Sequence, residues 1–180
     1  MNWLIPLLPL VIIAGVNDPY KITRPSKIKH VKTIVKYAEV HGHDPYELLA
    51  IAITESNLNP RAISSAGAVG LFQVMCKFWY KRQGYSSIAQ CNKELLKPEK
   101  NIDAGVSILT TYRRKYKQCK GDLAYRCYFA GAGWRKYKPG GKTAKSIIRY
   151  EKKVRERRIK LPKYYSDLIK DIRASIKSRS

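Results

Sequence analysis

The chain is poor in acid. Its 180 residues carry 13 Asp and Glu against 36 Lys and Arg, a formal net charge of +23, and a field of that sign gathers polyanions whatever the fold. Nucleic acid, anionic lipid and anionic cell wall are all admitted as partners, and no reaction is named. The four cysteines show no CxxC spacing, which removes support for a zinc ribbon or a thioredoxin-type motif. His41-Gly42-His43 lacks the i, i+4 spacing of a helical zinc pair, so no metal is expected. No convincing run alternates with a period of two, and no internal repeat is present. What remains is a mainly α chain of a length suited to one compact domain.

Residues 1–16, MNWLIPLLPLVIIAGV, are apolar and uncharged, and shorter than the ~20 residues a membrane-spanning helix usually needs. They read as an export signal or, uncleaved, as a marginal N-terminal anchor, although no Lys or Arg precedes the apolar run. Export would place the chain in the periplasm or outside the cell, where Cys76, Cys91, Cys119 and Cys127 meet oxidising conditions. Three pairings are possible. Cys76 with Cys91 and Cys119 with Cys127 are favoured, because each pair flanks a short connection.

Residues 17–25 have no apolar period and read as a linker, with the main domain spanning 26–158. Ile28, Val31, Ile34, Val35 and Ala38 recur at helical spacing, with Ser26 as candidate N-cap and Gly42 as the stop. Asp44, Pro45 and Glu47 form an acidic variant of the capping box and predict a helix from Pro45 to about Ser56. Asn57 to Gly70 reads as a loop and Leu71 to Tyr80 as a short helix. Pro98 opens a helix that Lys120-Gly121-Asp122 breaks, and another short one starts at Leu123. After the Gly-rich stretch from Gly131 to Gly141, one helix carries Ile147, Ile148, Tyr150 and Val154 and a second spans Leu161 to Ile176. From Arg135 onward there are 17 Lys and Arg against four Asp and Glu, more than half of the basic excess. Residues 159–180 accordingly read as a basic helical tail, either a solubilising face or a surface that holds an anionic wall or membrane.

Leu48, Ile51 and Ala52 lie seven, four and three positions before Glu55, so the glutamate shares an apolar helical face. Burial and the exposed carbonyls of a last helical turn both disfavour its ionised form. A carboxylic acid kept protonated near neutral pH is what general acid catalysis needs. The ordinary fate of a glutamate at a helix end is to face water, and it is the neighbouring residues that single this one out.

Glu55-Ser56-Asn57-Leu58-Asn59-Pro60-Arg61-Ala62, continuing through Ser65, Gly67-Ala68 and Gly70-Leu71-Phe72-Gln73-Val74-Met75, closely resembles the signature of the lysozyme-like lytic transglycosylases, the soluble lytic transglycosylase (family 1) group. Pro98 with Asn101-Ile102 and Gly105, then Tyr128 to Gly131, then Tyr150 follow in that family's order, so the resemblance covers roughly Ser26 to Arg158. It departs at Phe129, where the family usually has Asn; Phe supplies no amide hydrogen bond.

The resemblance implies a lysozyme-like fold and cleavage of peptidoglycan between N-acetylmuramic acid and N-acetylglucosamine, leaving a 1,6-anhydro sugar, with no cofactor. Glu55 would act first as acid and then as base, since ordinary glycosidases need two carboxylates and the motif supplies one. Asp44 and Glu47 sit at the other end of the helix, about a dozen ångströms away at ~1.5 Å per residue. Tyr150 would orient Glu55, and Gln73, Ser56, Ser65 and Tyr128 would bind substrate. Two alternatives stand beside this reading. One is a hydrolytic lysozyme of goose type; the other is a basic nucleic-acid-binding or virion structural protein on a lysozyme-like scaffold, against which the intact Glu55 and Gln73 motifs argue. Wall growth, a secretion or conjugation machine and phage entry (a virion-associated enzyme) are all open as settings.

Overall fold

The computed structural model describes residues 18–178; the apolar segment 1–16 and the reading placed on it lie outside them. The described chain is mainly helical, in the order α1 (Pro25–His41), α2 (Pro45–Ser56), β1 (Ala68–Val69), β2 (Val74–Met75), α3 (Cys76–Trp79), α4 (Ile88–Glu94), α5 (Pro98–Lys115), α6 (Leu123–Ala130) and α7 (Lys142–Lys177), with short 3-10 turns at Lys117–Cys119 and Trp134–Lys136. Among the described residues no helix is long and apolar enough to cross a membrane.

Helix α2 is the axis of the fold. Asp44 is extended and its carboxylate accepts from the Tyr46 N–H at 2.9 Å, with Pro45 in the first turn, so the predicted start holds. The reciprocal half of the capping box does not form. Glu47 is buried, and its carboxylate takes both arms of the Arg113 guanidinium, at 2.7 and 2.5 Å, and the Tyr125 hydroxyl at 2.6 Å. A buried carboxylate is stabilised far more by a bidentate cation than by a backbone N–H. Leu48, Leu49, Ala50, Ile51 and Ala52 are all fully buried, because α7 and α1 pack over α2 from different sides. Its end is set by Asn57 in the left-handed region, φ 52°, whose N–H closes on the carbonyls of Ala52 and Ile53.

Several boundaries differ from the sequence reading. Helix α1 begins at Pro25 rather than after Ser26, with no side-chain cap, since the fixed φ of a first-turn proline starts the helix unaided. The stretch read as a linker is, from Asp18 on, a packed turn. The Asp18 carboxylate accepts from the N–H groups of Ile22 and Thr23 and from the Thr23 hydroxyl, and Ile22 enters the core.

Leu71 to Tyr80 is not one helix: β1 and β2 pair antiparallel with Val69 opposite Val74, and only Cys76–Trp79 is helical. Gly70 (φ 76°) and Gln73 (φ 47°) lie in the left-handed region, which a right-handed helix cannot include. Helix α4 is an addition, capped by the Ser87 hydroxyl accepting from the Gln90 N–H. Helix α5 stops at Lys115, a few residues before the predicted break.

The two helices expected after the Gly-rich stretch are one 36-residue element with a kink. Pro162 lacks the N–H that would bond four residues back, and Tyr165 takes non-helical angles (φ −133°, ψ 15°). Beyond residue 159 the chain is helical through Lys177, and Leu161, Tyr165, Ile169 and Ile172 are buried in the common core. Cys76 is bonded to Cys91 and Cys119 to Cys127, the favoured local pairing.

Candidate active site

Glu55 lies in the last turn of α2, on the floor of a groove of about 740 Å³. The groove is lined by Ile53 to Asn57 with Ala62, by Pro19, Tyr20 and Lys21, and by Lys153 and Arg157 of α7. Burial pushes the Glu55 carboxyl up to about 7, against the opposing pull of a hydrogen bond from Tyr150 and the charge of Lys153. The Tyr150 hydroxyl donates to Glu55 Oε1 at 2.6 Å. Burial and the nearby Glu55 charge hold the phenols of Tyr150 and Tyr128 protonated, their pKa values raised well above the usual range. An acid poised near neutrality, with a fixed donor on one oxygen, is equipped to give a proton and later take one. Phe129 stacks on the Tyr150 ring, centroids 4.8 Å apart.

The remaining motif residues converge on the tip between β1 and β2. Leu71 and Phe72 both point into the core, so the tip backbone passes close to the end of α2 and every polar group on it must be matched. The Ser56 hydroxyl lies 2.8 Å from the Leu71 carbonyl and 3.2 Å from that of Ala52. Tyr128 donates to the Phe72 carbonyl at 2.8 Å, and Asn101 accepts from the Phe72 N–H at 2.7 Å while donating to the carbonyls of Val69 and Leu95. Gln73 holds its own left-handed backbone by donating from Nε2 to the carbonyls of Gly70 and Ala62, at 3.0 and 3.1 Å. Ser65 is exposed on the preceding turn. It is Ser64, not singled out from the sequence, that accepts from the Ala68 N–H and steadies that turn.

Two glycines have steric reasons. A Cβ on Gly70 would sit 2.2 Å from Asn101 Nδ2, and one on Gly105 2.4 Å from the Phe72 ring. Asn101, Gly70 and Gly105 therefore build the shelf on which the tip rests.

Sequence reasoning missed Lys153, Arg157 and the 18–21 segment. A signal existed: Lys153 and Arg157 follow Tyr150 by three and seven positions, the same face of one helix. His43 sits in a buried cluster, with Nε2 2.8 Å from the Thr110 hydroxyl and Nδ1 3.3 Å from Arg113. Among the described residues no group of three or more His, Cys, Asp or Glu is placed to hold a metal.

A helical fold with a half-buried, protonatable glutamate lining a groove is the architecture of a lysozyme-like protein. The chain belongs to the transglycosylase SLT domain family, whose model matches residues 32–150. It is 39% identical over 92 residues to the membrane-bound lytic murein transglycosylase C of Histophilus somni (strain 2336), covering 49% of this chain and 25% of that protein. With the same-named protein of Haemophilus influenzae (strain PittEE) it shares 38% over 94 residues, covering 49% and 26%. The chain thus spans about a quarter of the length of these curated relatives. Among solved structures, it is similar to the 70 kDa soluble lytic transglycosylase of Escherichia coli, with TM-score 0.57 and 25% identity over 73% of this chain and 24% of that one. An inactive mutant of lytic transglycosylase Slt from Pseudomonas aeruginosa shares the fold, with TM-score 0.59 and 23% identity over 76% and 24%.

Proposed function

We propose that this protein is a peptidoglycan lytic transglycosylase acting outside the cytosol, with Glu55 as its single acid and base. The observation that carries the reading is the Glu55 carboxyl, raised to about 7 at the groove floor and held by Tyr150, within a family whose curated relatives are named lytic murein transglycosylases.

In the first step the Glu55 proton passes to the oxygen linking N-acetylmuramic acid to N-acetylglucosamine. The bond from the anomeric carbon to that oxygen breaks, and the carbonyl of the sugar's own N-acetyl group stabilises the positive charge left on the carbon. In the second step the Glu55 carboxylate takes the proton of the muramoyl 6-hydroxyl, whose oxygen bonds to the anomeric carbon and closes the 1,6-anhydro ring. The acid is regenerated, and neither water nor a cofactor enters. The other carboxylate of the same helix, the buried Glu47, is committed to Arg113, and the hydrogen bonds and charge of Arg113 with the surrounding donors hold it far below the usual carboxylate range.

Tyr150 orients Glu55. Ser56, Tyr128 and the Gln73 amide nitrogen act through the β-tip they hold, while Gln73 Oε1 is the acceptor available to a substrate acetamido N–H. Ser65 is a surface contact for the strand.

Mass spectrometry of digested walls should show 1,6-anhydromuramoyl ends; reducing ends in their place would make the enzyme a hydrolase. Glu55→Gln keeps the shape and loses the transferable proton, so clearing of purified walls should fall to background while the folded state is retained. Wild-type clearing by that variant would overturn the assignment.

A further inference from the structure

Three cations line the groove that holds Glu55, and they come from parts of the chain outside the family match. Pro19, Tyr20 and Lys21 precede residue 32, and Lys153 and Arg157 follow residue 150. The two pieces are locked together. The Tyr165 hydroxyl binds the Asp18 carboxylate and accepts from the Tyr20 N–H at 3.3 Å, joining the first described residue to the far arm of α7. Lys27 donates to the Tyr20 carbonyl at 3.4 Å and to Asn57 Oδ1 at 3.0 Å, fixing the segment to the end of α2. Arg157 donates to the Thr54 hydroxyl at 2.6 Å, and its guanidinium lies 5.9 Å from the centre of the Tyr20 ring.

The charge lining this groove is one-sided. Of its lining residues Lys21, Lys153 and Arg157 are cations and Glu55 is the sole acid. Among the described residues no carboxylate lies within ion-pair distance of any of the three. A neutral glycan does not call for three unpaired cations lining its groove. An anion lying in the groove would be attracted by all three.

Building on the proposed function, we infer that Lys21, Lys153 and Arg157 form a subsite for a carboxylate carried on the muramoyl sugar's lactyl substituent, so that the groove selects acidic strands. That carboxylate has two sources, the stem peptide or, where the peptide has been removed, the lactyl group itself. The chemistry recognised is the same, and substrate preparation separates the sources.

The test measures binding of soluble glycan strands to protein carrying Glu55→Gln, which does not require turnover. Three preparations are compared: intact strands, strands with carboxylates converted to amides, and strands stripped of peptides by an amidase. Intact strands should bind about two- to fivefold more tightly than amidated ones, the scale of a partly exposed charge pair. The preference should vanish when Lys21→Gln and Arg157→Gln are added, and Arg157→Lys should retain much of it. Lys21 is exposed, so Lys21→Gln alone guards against misfolding and should reduce the preference in part. Stripped strands that bind like intact ones show that the subsite takes the lactyl carboxylate as well as the peptide's; stripped strands that bind like amidated ones show that it takes the peptide's alone. Equal binding of intact and amidated strands, or a preference that survives the double substitution, overturns the inference. Loss of the function proposed above reads differently, as wild-type protein that releases no wall fragments whatever the strands' charge.

Discussion

In the proposed function Tyr150 and Glu55 act as one unit, and the pH dependence of the reaction should show it. Glu55 must be protonated to act first, so activity should fall as pH rises through its raised value of about 7. The Tyr150 hydroxyl stabilises the ionised form and pulls that value down. Tyr150→Phe should therefore move the alkaline limb of the pH-rate profile to higher pH, while kcat drops about 10- to 100-fold because the acid is no longer held in line. A loss of kcat with the limb unmoved would make Tyr150 packing only. The residue scale is also where the sequence is most and least legible. Glu55 is readable because a distinctive run of neighbours surrounds it, and the structure adds the cause of its raised pKa, burial against α7, which is remote in sequence. Ser56, Gln73 and Tyr128 are readable as members of a motif, but the carbonyls of Leu71, Gly70 and Phe72 that they meet belong to a hairpin that no local pattern announces. Phe129 departs from the family pattern, and its stacking on Tyr150 connects a substituted position to the acid through one ring.

Among the elements, the β-tip and the far arm of α7 each support a prediction. Gly105 of α5 faces the Phe72 ring at a distance that leaves no room for a methyl group. Gly105→Ala should cost about 1–3 kcal/mol by overpacking, visible as a melting temperature several degrees lower. Truncation after Arg158 should do more. It removes Leu161, Tyr165, Ile169 and Ile172 from the core, side chains of a kind each worth about 2–5 kcal/mol on truncation to Ala, against a total stability of ~5–15 kcal/mol. The truncated chain should fail to show a cooperative thermal transition by circular dichroism, whereas a separable tail would leave the transition in place. The period of 161, 165, 169 and 172 was open to reading as a buried face, yet the density of Lys and Arg around it made the segment look like a solvated appendage. The hairpin escaped for a different reason, because strands of two residues carry no alternation to detect.

At the scale of the whole molecule, neither disulfide contributes a residue to the lining of the groove. The Cys76–Cys91 bond closes a separation of 15 residues and Cys119–Cys127 one of eight; a 15-residue loop is worth about 3 kcal/mol in the chain-entropy account. Reductant should lower the melting temperature while leaving the acid–tyrosine pair assembled in the molecules that remain folded, which is checked by an unchanged pH-rate profile alongside the lower melting temperature. The joint between Asp18 and Tyr165 has a mechanical consequence. Any load entering through the residues before Asp18 meets that joint before it meets the rest of the body, and the groove's cationic lining hangs directly behind it. Tension there would load Tyr20 and Lys21, held by Tyr165 and Lys27, before it reached Glu55 on α2.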